Sequence, residues 1–180
     1  DKILPLIQHG HIDFGENKVQ EAVDKWTELR KENLNLKLHL IGKLQTNKVK
    51  FAVKLFDYIH SVDSEKLARK ISEEERKINK KIKVFVQVNI GGEEQKSGVS
   101  KSDVNKLITY CKELKLDVVG LMCIPPLNEN SSYYFKEMSK LNQNFGFSEL
   151  SMGMSSDYLK ASEHFATYLR IGSSIFGQRS

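Results

Sequence analysis

Arg170–Ser174, with the sequence RIGSS, places an arginine, a glycine and two serines directly after an apolar stretch that predicts a strand. Glycine lets a backbone come close to a ligand, and backbone N–H groups together with hydroxyls bind an oxyanion. The segment therefore predicts either a phosphate cradle or a plain turn from a strand into a helix, and by itself it leaves both open. Ser151–Ser155 (SMGMS) lies on the preceding predicted strand and would add a hydroxyl to the same anion.

Other polar side chains at predicted strand ends carry weaker signals. Asn89 closes an apolar strand, where its amide either faces a ligand or bonds its own loop. His39 and His60 lie within or at the end of strands, which favours hydrogen-bonded core histidines, whereas His9 and His11 are expected at the surface. The strand ends hold no carboxylate pair suited to glycoside hydrolysis and no cluster with metal-ligand spacing. No GxSxG, Walker A or GxGxxG motif occurs in the sequence.

Short apolar runs alternate with amphipathic stretches along the whole chain. Alternating strands and helices with buried strands predict a parallel sheet of the α/β class. Seven such units without a dinucleotide fingerprint favour a (β/α)8 TIM barrel whose first strand precedes this sequence. The apolar runs predict strands at His11–Asn17, Lys37–Gly42, Asp57–Val62, Lys83–Ile90, Asp117–Ile124, Leu150–Met154 and Tyr168–Phe176, with a helix after each of the first six.

The composition is that of a globular domain. With 39% hydrophobic and 28% charged residues over 180 positions, it excludes disordered, collagen-like and disulfide-stapled classes. We expect residues 1–180 to form a single barrel domain that is incomplete at its N-terminus. Cys111 and Cys123 form no CxxC pair and are expected to be buried in a reducing, cytoplasmic compartment. No apolar run reaches the ~18 residues that a membrane span needs.

Most of the formal charge of +5 lies in residues 64–83, which hold eight Lys or Arg and four Glu. This segment contains no aromatic residue, and its charges alternate in sign at helical spacing. Such a pattern is typical of a solvated helix face rather than of a nucleic-acid-binding surface. We therefore expect no nucleic-acid partner.

Seven segments, in order and over essentially the whole chain, resemble the pyridoxal phosphate homeostasis proteins (YggS/PROSC type), whose barrel is related to the N-terminal domain of alanine racemase. One such segment is a weak signal, whereas seven in the family order are specific. The segments are FGENKVQEA at Phe14–Ala22, LHLIGKLQTNK at Leu38–Lys48, HSVDS at His60–Ser64, VQVNIGGEEQKSG at Val86–Gly98, GLMCIPP at Gly120–Pro126, LSMGMSSD at Leu150–Asp157 and RIGSSIFGQR at Arg170–Arg179.

The resemblance implies a fold-type III barrel that holds pyridoxal 5′-phosphate (PLP) at the carboxyl ends of its strands. In the family, a lysine at the end of the first strand forms a Schiff base with the cofactor, and this strand is expected upstream of Asp1. The resemblance therefore implies no catalytic residue within this sequence. The implied cofactor-binding residues are Ser151, Gly172 and Ser173 at the phosphate, Arg170 at the pyridine nitrogen, and Asn17, Asn89 and Met122 along the ring.

The resemblance favours a binding protein over an enzyme. Arginine stays protonated, so opposite the ring nitrogen it donates a hydrogen bond and leaves PLP a weaker electron sink. Related racemases use a second base, a tyrosine from a further domain of a partner subunit, and this sequence stops at Ser180. We expect a monomeric PLP carrier in PLP homeostasis that serves PLP-dependent apoenzymes, with no membrane partner. The alternatives are a PLP-dependent amino-acid racemase and a barrel isomerase that uses the same cradle for a phosphorylated metabolite.

Overall fold

Within the part of the chain that the structure describes, seven parallel strands form one sheet that winds into a nearly closed barrel. The computed structural model describes residues 2–177, so the end of the RIGSSIFGQR segment, at 178–179, lies outside the described residues. The strands follow one another in chain order across the sheet, which confirms the predicted TIM-barrel architecture. They are β1 Asp13–Glu16, β2 Lys37–Leu40, β3 Tyr58–Val62, β4 Lys83–Gln87, β5 Asp117–Met122, β6 Glu149–Met154 and β7 Tyr168–Arg170.

Helices connect the strands, as predicted, and two short helices were not predicted. The first of these precedes β1, and the second begins at Ser173, where the predicted last strand would have continued. This strand ends at Arg170 because the chain turns at Gly172 into one helical turn. The helices are α1 Leu4–Gln8, α2 Val19–Glu32, α3 Val49–Leu55, α4 Glu65–Ile78, α5 Val104–Glu113, α6 Ser131–Asn144, α7 Tyr158–Glu163 and α8 Ser173–Phe176, with a 3-10 turn at Thr46–Lys48.

Side chains alternate between the two faces of each strand, so the barrel has an outer shell and an interior. In β4, Val84 and Val86 join the large apolar core between the sheet and the helices, whereas Phe85 points to the other face. Phe85 packs there with Tyr58 and Met122 in a separate small cluster. The helices therefore cover an apolar shell, and the interior contains far fewer apolar side chains.

The charged helix α4 is a solvated face, as its sequence predicts. Ser64 caps its first turn by accepting a hydrogen bond from the Leu67 amide at 3.3 Å. Farther along, Glu74 pairs with Lys70 at 3.0 Å and with Lys77 at 2.8 Å. The basic side chains of this stretch are thus partly neutralised by acidic neighbours on their own helix.

Both cysteines are buried and form no disulfide within the described chain, as expected for small apolar side chains. Across residues 2–177, no helix combines the length and the apolar composition that crossing a bilayer requires.

Candidate functional site

The loop that follows β7 brings amides and a hydroxyl to one point. The Gly172 amide donates to Ser155 Oγ at 3.1 Å, and the Ser174 amide lies 3.4 Å from the same oxygen. A Cβ added to Gly172 would meet no atom within 4 Å, so the space beside this glycine is open. Ser173 is exposed at the start of α8. The groups of the predicted cradle are therefore gathered at one point, where two amides are bonded to Ser155 and Ser173 is exposed, and their contact with a phosphate stays a prediction.

Ser155, which the sequence indicated only as the last residue of SMGMS, is the serine that meets this loop. It follows the end of β6, and the turn there requires Gly153, whose φ is +93° and whose Cβ would lie 2.5 Å from that of Ala161. The Met154 amide donates to Asp157 Oδ1 at 2.7 Å and closes the turn. The signal that could have identified Ser155 is its position just beyond the strand, because ligands of parallel α/β folds bind beyond the strand ends.

Ser151 lies deeper than the cradle, in the middle of β6, where it is fully buried. Its hydroxyl accepts a hydrogen bond from Arg170 Nη1 at 2.7 Å and lies 2.8 Å from His60 Nδ1. Ser151 is therefore engaged beneath Arg170, and its contact with a phosphate stays a prediction.

Arg170 is a partly buried cation at the end of β7. Besides its bond to Ser151, it donates from Nη2 to the carbonyl oxygen of Cys123 at 2.8 Å. Burial lowers the pKa of Arg170, and burial also raises the pKa of the Cys123 thiol to about 12, so no thiolate balances the guanidinium. Within residues 2–177 Arg170 forms no ion pair, and a desolvated charge needs a compensating partner. The guanidinium has five N–H donors, so donors remain for a ligand.

Two buried histidines continue from Ser151 through the barrel interior. His60 Nε2 lies 3.0 Å from His39 Nδ1, and His39 Nε2 lies 3.0 Å from Asp13 Oδ1 at the start of β1. Burial lowers the pKa of His39, and burial together with the charges of His39 and Arg170 lowers that of His60 well below its ordinary value. The expectation of hydrogen-bonded core histidines is confirmed, and the surface positions of His9 and His11 are also as expected.

The three residues predicted along a ring occupy different environments. Asn89 bonds its own loop, since Nδ2 donates to Glu93 O at 2.7 Å and Oδ1 accepts from the Glu93 amide at 3.2 Å. Met122 is buried in the interior cluster. Asn17 is exposed at the end of β1, and its carbonyl packs against Gly42, where a Cβ would lie 2.1 Å from the oxygen. Contact of these side chains with a ring stays a prediction.

Comparison with known proteins decides the family. The family described as alanine racemase, N-terminal domain, matches residues 1–180. A pyridoxal phosphate homeostasis protein from Aquifex aeolicus is 42% identical over 176 residues, which cover 92% of this chain and 76% of that protein. The chain belongs to the pyridoxal phosphate homeostasis protein family. The resemblance carried by the seven sequence segments is thereby confirmed.

Solved structures of similar proteins show the same barrel. PipY of Synechococcus elongatus, solved with PLP bound, has a TM-score of 0.90 at 33% identity, covering 97% of this chain and 86% of PipY. Alanine racemase from Clostridium difficile has a TM-score of 0.74 at 17% identity, covering 99% of this chain and 48% of the racemase. The racemase likeness shows the fold alone, and PipY is the comparison relevant to this family.

The opposite end of the barrel offers a different environment. A cavity of about 440 Å³ opens there, and its lining includes two carboxylates, Asp117 and Glu149, beside Lys83 and the rings of Tyr58 and Tyr168. Its carboxylates would repel a phosphate, so this cavity is a poorer candidate for a phosphate site than the loop at Gly172. We call the end of the barrel formed by the carboxyl ends of the strands and the loops that follow them the rim. Among the residues that the structure describes, no group of three or more His, Cys, Asp or Glu could hold a metal ion.

Proposed function

We propose that this protein binds PLP at the carboxyl-terminal ends of its barrel strands and acts in PLP homeostasis as a carrier. The observation that carries the proposal is Arg170, a partly buried cation without an ion pair in the described chain, next to the loop at Gly172, beside which the space is open. The names of the relatives support it, since they are pyridoxal phosphate homeostasis proteins, and PipY was solved with PLP bound.

The residues present fit the chemistry of PLP. A phosphate dianion suits the amides of Gly172 and Ser174 with the hydroxyls of Ser155 and Ser173, since all of these donate hydrogen bonds. The remaining N–H groups of Arg170 suit a pyridine nitrogen, which is an acceptor. When bound, PLP supplies an amine-reactive aldehyde and an electron-withdrawing ring. Because arginine leaves the ring nitrogen unprotonated, it weakens this electron withdrawal, which supports a carrier rather than an enzyme.

The proposed attachment lysine lies on an eighth strand outside residues 1–180. Among the described residues, β1 and β7 each pair on one side only, and the gap between these two edges suits one further strand. Two lysines of rim loops fit the role poorly, because Lys43 is exposed and Lys96 pairs with Glu93 at 2.7 Å. Neither side chain lies in the apolar surroundings that activate a lysine for attack on an aldehyde.

A reduction experiment tests the attachment. The protein is loaded with PLP and treated with borohydride, and the labelled peptide is then identified by mass spectrometry. The label is expected on a lysine outside residues 1–180. A label on Lys43 or Lys96 would contradict the proposed attachment and leave the phosphate cradle to be judged separately.

Ligand titration tests the proposed function itself. We expect saturable binding of PLP, weaker binding of pyridoxal, which lacks the phosphate, and no binding of small sugar phosphates. Affinity for sugar phosphates without affinity for PLP would overturn the proposal in favour of a barrel isomerase. Turnover of a purified D- or L-amino acid by the PLP-loaded protein would overturn it in favour of a racemase.

The proposed setting is the cytoplasm, where a monomer would deliver PLP to apoenzymes. Buried, unpaired Cys111 and Cys123 support a reducing compartment. Light scattering should give the monomer mass. In the presence of albumin, which scavenges free PLP, the loaded protein should transfer more PLP to an apoenzyme than an equal concentration of free PLP does. Equal transfer in both cases would contradict delivery.

A further inference from the structure

A continuous line of hydrogen bonds crosses the barrel interior from the rim to the opposite end. It joins five side chains that come from five strands, and the proposed function uses only the first of them. In order, the line runs from Arg170 on β7 to Ser151 on β6, His60 on β3, His39 on β2 and Asp13 on β1. We call these five residues the interior relay.

The two ends of the relay determine which atoms donate within it. Arg170 has only donors, so Ser151 Oγ accepts from it, and an ionised Asp13 has only acceptors, so His39 must carry a proton on Nε2. A neutral imidazole has one N–H, which leaves His39 Nδ1 as an acceptor. His60 must then donate from Nε2, and its bare Nδ1 must accept from the Ser151 hydroxyl. With both histidines neutral, only this orientation satisfies every contact.

We infer that His39 and His60 are positioning residues for the cofactor site. They hold the hydrogen of the Ser151 hydroxyl turned away from Arg170, so that the Ser151 oxygen accepts from the guanidinium. This hydrogen bond orients the Arg170 guanidinium toward the ligand. This inference rests on the proposed role of Arg170 at the pyridine nitrogen. It extends the site to Asp13, whose side chain is 42% exposed and so connects the relay to water.

Protonation of His39 would reverse the relay. A doubly protonated His39 donates to both Asp13 and His60, so His60 would donate to Ser151 and release the serine hydroxyl. The groups around the histidines oppose this at neutral pH, because desolvation and Lys37 disfavour a charge on His39 more than Asp13 and Asp57 favour it.

The remaining surroundings of the pair act in the same direction. Arg170 disfavours a charge on His60. The His60 ring stacks on Phe85, with 4.3 Å between the ring centroids. Tyr58 stacks on His39 at 4.2 Å, and Tyr168 contacts both imidazoles. These apolar and aromatic faces exclude water from the middle of the relay.

The tautomers of the two histidines test the relay directly. The whole protein, labelled with 15N in its five histidines, is studied by NMR near neutral pH without ligand. Both buried imidazoles should carry their proton on Nε2 and none on Nδ1. In Asp13→Asn, an amide can donate or accept, so the Nδ1-protonated form should appear in both rings. A wild-type signal from a protonated Nδ1 in either buried ring would overturn the inference.

Variants then test whether the relay acts on the cofactor through Arg170. We expect His60→Phe to weaken PLP binding about tenfold, the loss of roughly one hydrogen bond, and to shift the absorbance band of the bound cofactor. Ser151→Ala should do the same, and the double variant should be no weaker than Ser151→Ala alone, because both act through one path. Phe85→Leu, which changes the packing on His60 without touching its hydrogen bonds, is the control and should keep both properties.

The outcomes separate this inference from the proposed function. Additive losses in the double variant, or an unchanged absorbance band in His60→Phe, would overturn the positioning role while PLP binding by the wild type still stands. If the wild type fails to bind PLP, the proposed function fails, and with it the positioning role. The tautomer measurement needs no ligand, so it tests the hydrogen-bond orientation in either case.

Discussion

The barrel interior and the shell around the barrel are built from opposite chemistry. The shell buries large apolar side chains such as Trp26, Phe56 and Phe135 completely. Its polar atoms connect one element to the next, as where Glu75 Oε1 accepts a hydrogen bond from the Ile82 amide at 2.8 Å. The interior has a small apolar cluster, and the relay crosses it. Because apolar burial is the main source of stability, the shell should hold the fold and the interior should set the electrostatics of the rim.

Loss of a shell aromatic should give the largest effect on stability. Phe135→Ala removes a fully buried ring of α6 and should lower the free energy of unfolding by about 3–5 kcal/mol. The PLP affinity of the folded fraction should not change, because Phe135 lies outside the relay and the cradle. Denaturant unfolding and PLP titration measure the two quantities. Leu127→Ala, at a side chain that is 90% exposed, is the control. An equal loss of stability in this variant would contradict the conclusion that the buried shell holds the fold.

Loss of the rim cation should act on binding more than on folding. Arg170→Ala removes charge-assisted bonds and should weaken PLP binding by about 1.5–3 kcal/mol, roughly 10- to 100-fold. Arg170→Lys keeps the charge but not the planar fork, so it should recover only part of the affinity. Titration followed by absorbance measures both variants. Wild-type affinity in Arg170→Ala would place the ligand elsewhere.

Substitutions of three serines distinguish the phosphate end of the site from the relay. Ser155→Ala and Ser173→Ala should each weaken PLP by about 1–3 kcal/mol while leaving pyridoxal binding unchanged, because each removes one hydrogen bond to a charged phosphate. Ser151→Ala should weaken PLP and pyridoxal alike, because it acts through Arg170. Paired titrations with the two ligands distinguish the patterns. A phosphate-selective loss in Ser151→Ala would instead support its predicted contact with the phosphate.

The pH dependence of stability should show the smallest of these effects. Folding lowers the pKa of His39 and that of His60 from the ordinary 6.5. Below pH 6.5 the unfolded chain therefore binds more protons at these two residues than the native protein does. Stability should therefore fall as the pH drops below 6.5 and be independent of these groups above it. Urea midpoints measured from pH 7.5 downwards check this. A variant with both His39→Gln and His60→Phe should lose this part of the pH dependence.

The sequence predicts most of the fold and only part of the site. Every predicted strand forms, because apolar runs of strand length between helical stretches are a local signal. The predicted strand over Ile175 and Phe176 is wrong, since two apolar residues after a glycine look the same in a strand and in a single helical turn. The sequence places Gly172 and Ser173 directly after a strand, as the structure does, and their role at a phosphate stays a prediction. For Asn89 the sequence leaves open whether the amide faces a ligand or its own loop, and the structure shows the loop.

Residues near one another in the chain are enough to predict the succession of strands, the apolar shell and the glycine and serines that follow β7. The contact of His60 with Ser151, 91 positions later, and the hydrogen bond of Arg170 to the same oxygen are visible only in the folded barrel. These contacts depend on distant strands, because a side chain faces the barrel interior only once the sheet is wound and its register is set. An isolated histidine in a strand carries no signal of that partner.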